Sequence, residues 1–292
     1  MVKIMWQAIE KNITQTLGES FHIKHKQVVT GGDINLAYWI SDHQRKYFIK
    51  LNDKNRLQQF ESEAYSLAQI KQLSSMTCPD VITTGTTLDK SYLVLEYLPF
   101  CHGEAKDWYS FGQQLAQMHQ ESRHGQFGWQ HDNFIGTTLQ PNNWQSNWRS
   151  FFSEQRIGWQ LQLLAEKSIK LGNIDHIVDV CHDMLMHHQV SPCLVHGDLW
   201  QGNLGFNDDG AFIFDPASYY GDREVDIAMT ELFGQMPDEF YQGYQSIYPL
   251  EHDYDKRKVI YNFYHILNHA NLFGGVYVEQ SKANLARILA LH

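Results

Sequence analysis

The chain has 292 residues, a formal net charge of −10 and an apolar content of 43%. That length predicts one large or two modest domains with a packed core, and the acidic balance argues against proteins that bind nucleic acid through basic surface. The longest apolar runs are shorter than the roughly 20 residues of a membrane span, so no membrane insertion is expected. The four cysteines show no paired spacing, which predicts neither disulfides nor a zinc site and favours a cytoplasmic protein.

The first third of the sequence predicts a five-stranded, mostly antiparallel sheet with one inserted helix. Apolar residues recur at helical spacing over 4–17, before Gly18, and again over 56–73. Short apolar runs separated by turn residues predict the strands at 21–29, 36–40, 46–51, 81–88 and 92–97. Pro99 ends this part, and we expect a hinge near 98–103.

The remainder of the sequence is mostly helical in pattern. Helical spacing predicts helices at 107–120, 148–170, 174–188, 255–273 and 279–291. The expected fold class is α+β, with residues 1–98 as a first lobe and residues 99–292 as a second, helical lobe.

Sixteen histidines raise the question of a metal site. The nearest candidates are the adjacent His187 and His188 and the pair His265 and His269, which are spaced to share one helix face. No HExxH pattern or nearby carboxylate accompanies the second pair. Surface or partly buried histidines are therefore the favoured interpretation, with ligand roles as the alternative.

The stretch 193–226 carries the residue pattern of a phosphoryl-transfer site. A His-Gly-Asp run at 196–198 follows a short apolar run, Asn203 comes five residues after its aspartate, and Asp215 stands at the end of the next predicted strand. Such a site needs one carboxylate to take the proton of an attacking hydroxyl, and an amide oxygen and a second carboxylate to hold magnesium against nucleotide phosphates. The alternative is that Asp198 and Asn203 only cap turns.

Two pieces of the first lobe would complete such a site. The Gly31-Gly32 turn lets backbone amides approach phosphates, although a Gly-Gly hairpin turn is also common without a ligand. Lys50 lies in an apolar strand, and Glu61 or Glu63 on the following helix could pair with it. We prefer Glu63 because it flanks the buried stripe of that helix, and such a pair would aim the ammonium at the α- and β-phosphates. An exposed lysine on the wet face of the sheet is the alternative.

The run that ends at Glu96, Tyr97 and Leu98 offers a place for a nucleotide base. Backbone groups at a junction between lobes can bond an adenine edge while apolar side chains enclose the ring. An ordinary core strand would show the same pattern, so this piece is supporting only.

These motifs together resemble the aminoglycoside phosphotransferase and choline kinase branch of the protein-kinase-like fold, which carries His-Gly-Asp in its catalytic loop. A closer resemblance is to the fructosamine kinase (ketosamine-3-kinase) family. It is carried, in order along nearly the whole chain, by GGDINLAY, FIKLN, FESEAYSLAQI, LVLEYLPF, the tryptophan-rich stretch 127–163, VHGDLWQGNLGF and FDPASYYGDREVDIAM.

The resemblance implies a two-lobed kinase fold that uses ATP and Mg²⁺ to phosphorylate the 3-hydroxyl of a sugar-derived ketoamine, free or on a glycated protein. The roles it implies are general base for Asp198, magnesium ligands for Asn203 and Asp215, phosphate contact for Lys50 oriented by Glu63, and support of the catalytic loop by His196 and Asp226. The alternatives are an aminoglycoside or amino-alcohol phosphotransferase and a non-catalytic nucleotide-binding module.

Four further residues are expected to face the acceptor: Asn133, Gln140, Trp144 and Trp200. The alternative is a loop whose tryptophans pack the helical lobe. Some family members carry a cysteine in the glycine-rich turn and dimerise through it under oxidation. This chain has Gly31-Gly32-Asp33-Ile34 at that place, so we expect a monomer or a weak dimer.

Overall fold

A five-stranded sheet forms the first part of the fold in the computed structural model, which describes residues 2–30 and 35–292. Its strands are β1 (His25–Val29), β2 (Leu36–Ser41), β3 (Lys46–Asp53), β4 (Val81–Thr86) and β5 (Lys90–Glu96). They lie in the order β1-β2-β3-β5-β4, and every neighbouring pair is antiparallel. Two helices accompany the sheet, α1 (Val2–Leu17) and α2 (Leu57–Leu73).

Both faces of this sheet are covered, and alternation along β3 decides which side chain faces where. Ile49 and Leu51 belong to an apolar cluster with residues of α1. Phe48 packs instead against the main core, to which α2 contributes Phe60. Lys50, one residue from Ile49, therefore leaves the sheet on the α2 side and reaches the rest of the chain.

The remainder of the chain is mostly helical and carries three small two-stranded ladders. Its helices are α3 (Ala105–Glu121), α4 (Trp148–Phe152), α5 (Trp159–Glu166), α6 (Ile174–Met184), α7 (Glu224–Leu232), α8 (Asp238–Ile247), α9 (Tyr254–Phe273) and α10 (Val276–Leu291). A π-helical turn, Ser153–Gly158, joins α4 to α5. None of the helices in the described ranges is long and apolar enough to cross a lipid bilayer.

The short strands place two loops side by side. They are β6 (Asn133–Ile135), β7 (Thr138–Gln140), β8 (Cys193–Val195), β9 (Leu204–Asn207), β10 (Gly210–Ile213) and β11 (Tyr219–Gly221). β8 pairs with β11, and β9 pairs with β10, both antiparallel. The loop that joins β8 to β9 and the segment that joins β10 to β11 therefore lie next to each other.

Most predicted elements are confirmed, and the differences have local causes. The first strand begins at His25 and not at Phe21, because the N–H groups of Phe21 and Ile23 bond to the Thr14 hydroxyl and the Glu10 carboxylate of α1. The predicted helix over 148–170 contains the π-helical turn and ends at Glu166. The helices α7 and α8 were not predicted. The division into lobes at residue 98 stays a prediction.

Candidate active site

Two backbone segments, 196–203 and 214–218, are joined by hydrogen bonds into one platform. The Phe214 N–H donates to the Asn203 carbonyl at 3.1 Å, and the Ala217 N–H donates to the His196 carbonyl at 2.9 Å. Asp198 and Asn203 lie on the first segment and Asp215 lies on the second. The structure thus brings together the three side chains that the sequence pattern singles out.

Gly197 is required by the close approach of these two segments. Its φ is +83°, and a Cβ at this position would lie 2.2 Å from the Ala217 carbonyl oxygen. A side chain would therefore need a strained backbone and would also displace the second segment. This explains why glycine stands between the histidine and the aspartate.

His196 links the two segments through its ring. Its Nε2 donates to the Phe214 carbonyl at 3.0 Å, and its Nδ1 accepts from the Asp198 N–H at 3.3 Å. This assignment places the proton of the neutral ring on Nε2. Burial lowers the pKa of His196, so the ring remains neutral and serves as a spacer between the segments.

Asp226, in the first turn of α7, holds the backbone of the catalytic loop. Its carboxylate accepts hydrogen bonds from the N–H groups of His196 (2.7 Å) and Gly197 (2.9 Å) and lies 3.1 Å from His119 Nε2. Burial opposes its ionisation, but the hydrogen bond and the charge of His119 outweigh burial and hold its pKa below the usual range. The role of His119 was not predicted, because nothing in the sequence distinguishes this single histidine on α3.

We expect Asp226→Asn to lower the free energy of unfolding by about 1–3 kcal/mol, since the amide would turn an N–H toward a backbone N–H and leave one buried donor unpaired. The displaced loop should also reduce turnover. Thermal unfolding of the purified variant measures the first effect. Asp209→Asn, in the exposed turn between β9 and β10, is the control and should unfold as wild type does. Equal stability of the two variants would contradict this role of Asp226.

Asp198 lies in a partly enclosed position with 24% of its side chain exposed. Burial, together with the negative charge of Asp215, raises the pKa of Asp198 to about 7, although a hydrogen bond from Asn203 opposes the change. The Asn203 amide nitrogen donates to the Asp198 carbonyl at 2.8 Å and lies 3.3 Å from Asp198 Oδ2. A carboxyl group whose pKa is near neutrality suits general-base chemistry.

Lys50 connects the sheet to this platform. Its Nζ lies 2.6 Å from Glu63 Oε1 and also contacts the Asp215 carboxylate. The preference for Glu63 over Glu61 as its partner is confirmed. Burial opposes the charge of Lys50, yet the two carboxylates outweigh burial and raise its pKa, so the ammonium stays charged.

The oxygen atoms of the platform fit a hard divalent cation. Asp215 occupies the left-handed region with φ of +58°, a conformation that is costly for a non-glycine residue and is found most often at functional sites. Because the amide nitrogen of Asn203 is turned toward Asp198, the amide oxygen points away and accepts no hydrogen bond from the described residues. Carboxylate and amide oxygens are the kind of hard ligands that Mg²⁺ takes in proteins.

Three of the five remaining residues predicted to bind the nucleotide lie in the described part of the chain. Gly31 and Gly32 lie outside the described residues. The Glu96 N–H donates to the Asp80 carbonyl at 2.8 Å, and the Glu96 carboxylate accepts from the Asp80 N–H at 3.1 Å. The N–H and the carboxylate of Glu96 therefore already have hydrogen-bond partners within the protein. Tyr97 and Leu98 follow β5 and make no backbone hydrogen bond to the described residues.

The residues predicted to face the acceptor divide into two groups. Asn133 and Gln140 are 2% and 1% exposed, and their amides bond the carbonyls of residues 217 and 218. The described contacts give both an internal position, and their contact with an acceptor stays a prediction. Trp144 and Trp200 are each 37% exposed. Trp200 lies two residues after Asp198 and is thus the aromatic side chain nearest to it in sequence.

Two of the four paired histidines lie beside carboxylates in the part of the chain that the structure describes. His188 lies near Asp222 and Glu224, with candidate ligand atoms within 4.8 Å of one another. However, Arg257 donates to both oxygens of Glu224, at 2.7 and 2.8 Å, and these oxygens are therefore occupied. His265 is buried, and its Nδ1 lies 3.9 Å from Asp198 Oδ1, a proximity that the sequence did not indicate.

Comparison with known proteins agrees with this geometry. The family described as "Fructosamine kinase" matches residues 5–291. A protein of Vibrio parahaemolyticus named a probable ketoamine kinase is 48% identical over 287 residues, which cover 98% of this chain and 100% of that protein. A protein of Escherichia coli K12, also named a probable ketoamine kinase, is 43% identical over 286 residues, which cover 98% of this chain and 100% of that protein.

Solved structures give the same result. A crystal structure of a protein from Haemophilus somnus 129PT, provisionally described as a fructosamine-3-kinase, has a TM-score of 0.93 at 37% identity and covers 99% of both chains. Aminoglycoside phosphotransferase APH(4)-Ia, crystallised with AMP-PNP and hygromycin B, has a TM-score of 0.65 at 13% identity, with 97% of this chain and 98% of that chain covered. The second likeness supports the kinase-like fold alone.

The predicted fold class and the resemblance seen in the motifs are therefore both confirmed. The match extends over the sheet, the tryptophan-rich stretch and the two-segment platform alike. The chain belongs to the fructosamine kinase family and is an ATP-dependent phosphotransferase with the protein-kinase-like fold.

Proposed function

We propose that this chain transfers the γ-phosphoryl group of ATP to the 3-hydroxyl of a small ketoamine such as a fructosamine or ribulosamine. The observation that carries the proposal is the convergence of Asp198, Asn203 and Asp215 on one platform, with Lys50 reaching Asp215 from the sheet. The names of the relatives support a ketoamine as acceptor. Ketoamines on glycated proteins, and a part in protein deglycation, belong to the same proposal.

In this proposal Asp198 takes the proton of the acceptor hydroxyl. The hydroxyl oxygen forms a bond to the γ-phosphorus as the bond between that phosphorus and the β–γ bridging oxygen breaks, and ADP leaves with the electron pair. Since its pKa is about 7, Asp198 can accept this proton near neutral pH. Its backbone carbonyl and carboxylate are both held by Asn203, which fixes the direction of the base.

The nucleotide and the metal would occupy the other side of the platform. Lys50, oriented by Glu63, would contact the α- and β-phosphates, and the open backbone after β5 at Tyr97 and Leu98 would meet the adenine edge. Asn203 and Asp215 would hold Mg²⁺, which when bound neutralises phosphate charge. The phosphates would then replace Asp215 as the main partner of Lys50.

The acceptor is expected to lie against Trp200. An exposed tryptophan two residues after the catalytic base offers an aromatic face for the apolar side of a sugar, and its N–H can bond a hydroxyl. Trp144 is stacked on His124 with ring centroids 4.7 Å apart. It therefore offers a second aromatic surface, of which one face is already covered by the histidine ring.

Replacing Lys50 with methionine should lower kcat/KM for ATP by about 10²–10³-fold, because the phosphates lose a preorganised cation in a buried site. Steady-state kinetics with varied ATP measures this. Lys90→Met is the control, since Lys90 bonds a carboxylate on the same sheet, Asp53, at 2.7 Å, away from the platform. Similar kinetics for wild type and both variants would contradict the proposed role of Lys50.

The acceptor class is tested by incubating the protein with MgATP and synthetic fructosyl-amines, ribulosyl-amines, aminoglycosides and amino alcohols, and following each acceptor by mass spectrometry. We expect a gain of one phosphoryl group on the ketoamines. Phosphorylation of only the aminoglycosides or amino alcohols would refute the ketoamine assignment while leaving the kinase chemistry intact.

A further inference from the structure

Arg156 is a fully buried cation that the phosphoryl transfer does not use directly. It lies in the π-helical turn, a helical form that is frequent at functional sites. Its guanidinium donates to the Pro141 carbonyl at 2.5 Å and to Asn142 Oδ1 at 2.6 Å, and its Nε finds no hydrogen-bond partner among the described residues. None of the carboxylates in the described ranges forms an ion pair with it.

Such a charge is costly to bury, so its surroundings must offset the loss of water. The guanidinium carbon lies 4.1 Å from the ring centre of Tyr219 and 4.6 Å from that of Phe151. These aromatic faces attract the cation, but neither requires an arginine for packing alone. Among its polar contacts, the hydrogen bond to Asn142 is the one that connects Arg156 to other side-chain amides.

A chain of buried side-chain amides begins at that contact. Asn142 Nδ2 donates to Asn133 Oδ1 at 2.8 Å, and Gln140 Nε2 donates to the same oxygen at 2.8 Å. Asn133 Nδ2 then donates to the Ser218 carbonyl at 2.8 Å, and Gln140 Nε2 to the Ala217 carbonyl at 3.1 Å. The far end of the chain thus lies two and three residues after Asp215.

The chain ends at groups that can only donate or only accept, and these groups set the direction of its hydrogen bonds. A guanidinium can only donate, so Asn142 must present its oxygen to it and its nitrogen to Asn133. Asn133 must in turn present its nitrogen to Ser218. From the other side, the Tyr264 hydroxyl lies 2.5 Å from Gln140 Oε1, which leaves the Gln140 nitrogen for Ala217.

We propose that Arg156 is a positioning residue for phosphoryl transfer, which anchors the Asn142, Asn133 and Gln140 amides and through them holds the segment that carries Asp215. Without Arg156 the buried Asn142 oxygen would lose its donor and Asn142 could move away from Asn133, so the amides that bond the carbonyls of residues 217 and 218 would lose their support on that side. This inference rests on the proposed role of Asp215 as a magnesium ligand. According to this inference, the buried amides of the tryptophan-rich stretch support the Asp215 segment from inside the protein and do not contact the acceptor directly.

The test compares Arg156→Met with Arg156→Lys in the full-length protein. Removal of the cation should weaken the binding of ADP in the presence of Mg²⁺ by about 10–100-fold, the usual loss when a group that supports a metal ligand is removed, whereas ADP binding without Mg²⁺ should change little. Arg156→Lys retains a cationic donor and should recover most of the affinity. Calorimetry supplies the affinities, and hydrogen exchange of peptides from 214–220 should be faster in the methionine variant even without nucleotide.

A milder pair of variants covers the case in which Arg156→Met does not fold. Tyr264→Phe removes the donor to Gln140 and should weaken Mg²⁺-dependent ADP binding about tenfold. Tyr254→Phe removes the hydroxyl of another buried tyrosine, which bonds Glu231 at 2.7 Å, and should leave that binding unchanged.

Wild-type Mg²⁺-dependent ADP affinity in Arg156→Met, or in Tyr264→Phe if the former is unfolded, would overturn this inference. Equal losses in Tyr264→Phe and Tyr254→Phe would overturn it as well, because they would show general destabilisation. These assays need no acceptor. A failure to phosphorylate ketoamines would therefore count against the proposed function and not against the positioning role.

Discussion

Replacing Asp198 with asparagine should lower kcat by about 10²–10⁴-fold, the range by which a positioned general base accelerates proton transfer. The amide has nearly the same shape and can still accept the hydrogen bond from Asn203, so the loop should keep its conformation. It cannot take up the hydroxyl proton. ATP affinity should stay close to that of wild type, because the proposed nucleotide contacts come from Lys50 and the segment after β5.

Kinetics and calorimetry on the same preparation separate these two effects. Asp208→Asn, in the exposed turn between β9 and β10, makes the same chemical change away from the platform and should behave as wild type. Full turnover by Asp198→Asn would refute the assignment of the base. Loss of ATP binding together with turnover would show that Asp198 serves the nucleotide and not the acceptor.

Gly197→Ala should lower the free energy of unfolding by about 2–5 kcal/mol and abolish most of the activity. A non-glycine residue at positive φ costs about 1–2 kcal/mol, and forcing a methyl group into a packed site costs typically 1–3 kcal/mol more. The added Cβ would lie 2.2 Å from the Ala217 carbonyl oxygen, which belongs to rigid backbone. The segment that carries Asp215 would have to move, so the proposed metal ligands would separate.

Gly18→Ala is a matched control for the backbone contribution. Gly18 has a similar positive φ, +69°, at the end of α1, and nothing lies within 4 Å of a Cβ built there. This variant should lose only the cost of the conformation, about 1–2 kcal/mol, and keep its activity. Chemical denaturation of both variants gives the difference, and equal losses of stability would contradict the close approach as the cause.

The sequence predicted the site well where one side chain and its local element determine the outcome. Lys50 is an example, because alternation along β3 and helical spacing along α2 together place it opposite Glu63. The His-Gly-Asp run and Asp215 are further cases, since each stands at the end of an apolar strand. Patterns of this kind depend on neighbours in sequence, so they can be recognised without knowing how the chain packs.

Contacts between distant segments could not be predicted in the same way. His119 reaches Asp226 across 107 residues, and a single histidine on an amphipathic helix gives no sign of such a partner. Asn133 and Gln140 were expected to face the acceptor because they lie in the tryptophan-rich stretch that resembles the fructosamine kinase family. They are buried because each finds a backbone carbonyl of the Asp215 segment, about 80 residues later, to satisfy its nitrogen.

The most direct test of the central claim is the position of the phosphate on the product. The protein is incubated with MgATP and a synthetic fructosyl-amine, ADP is counted, and the product is examined by phosphorus–proton NMR. The account predicts one phosphate ester per ADP, with phosphorus coupled to the proton on carbon 3, and almost no ester with Asp198→Asn. ADP release without ester, an ester at another hydroxyl, or equal ester formation by Asp198→Asn would contradict it.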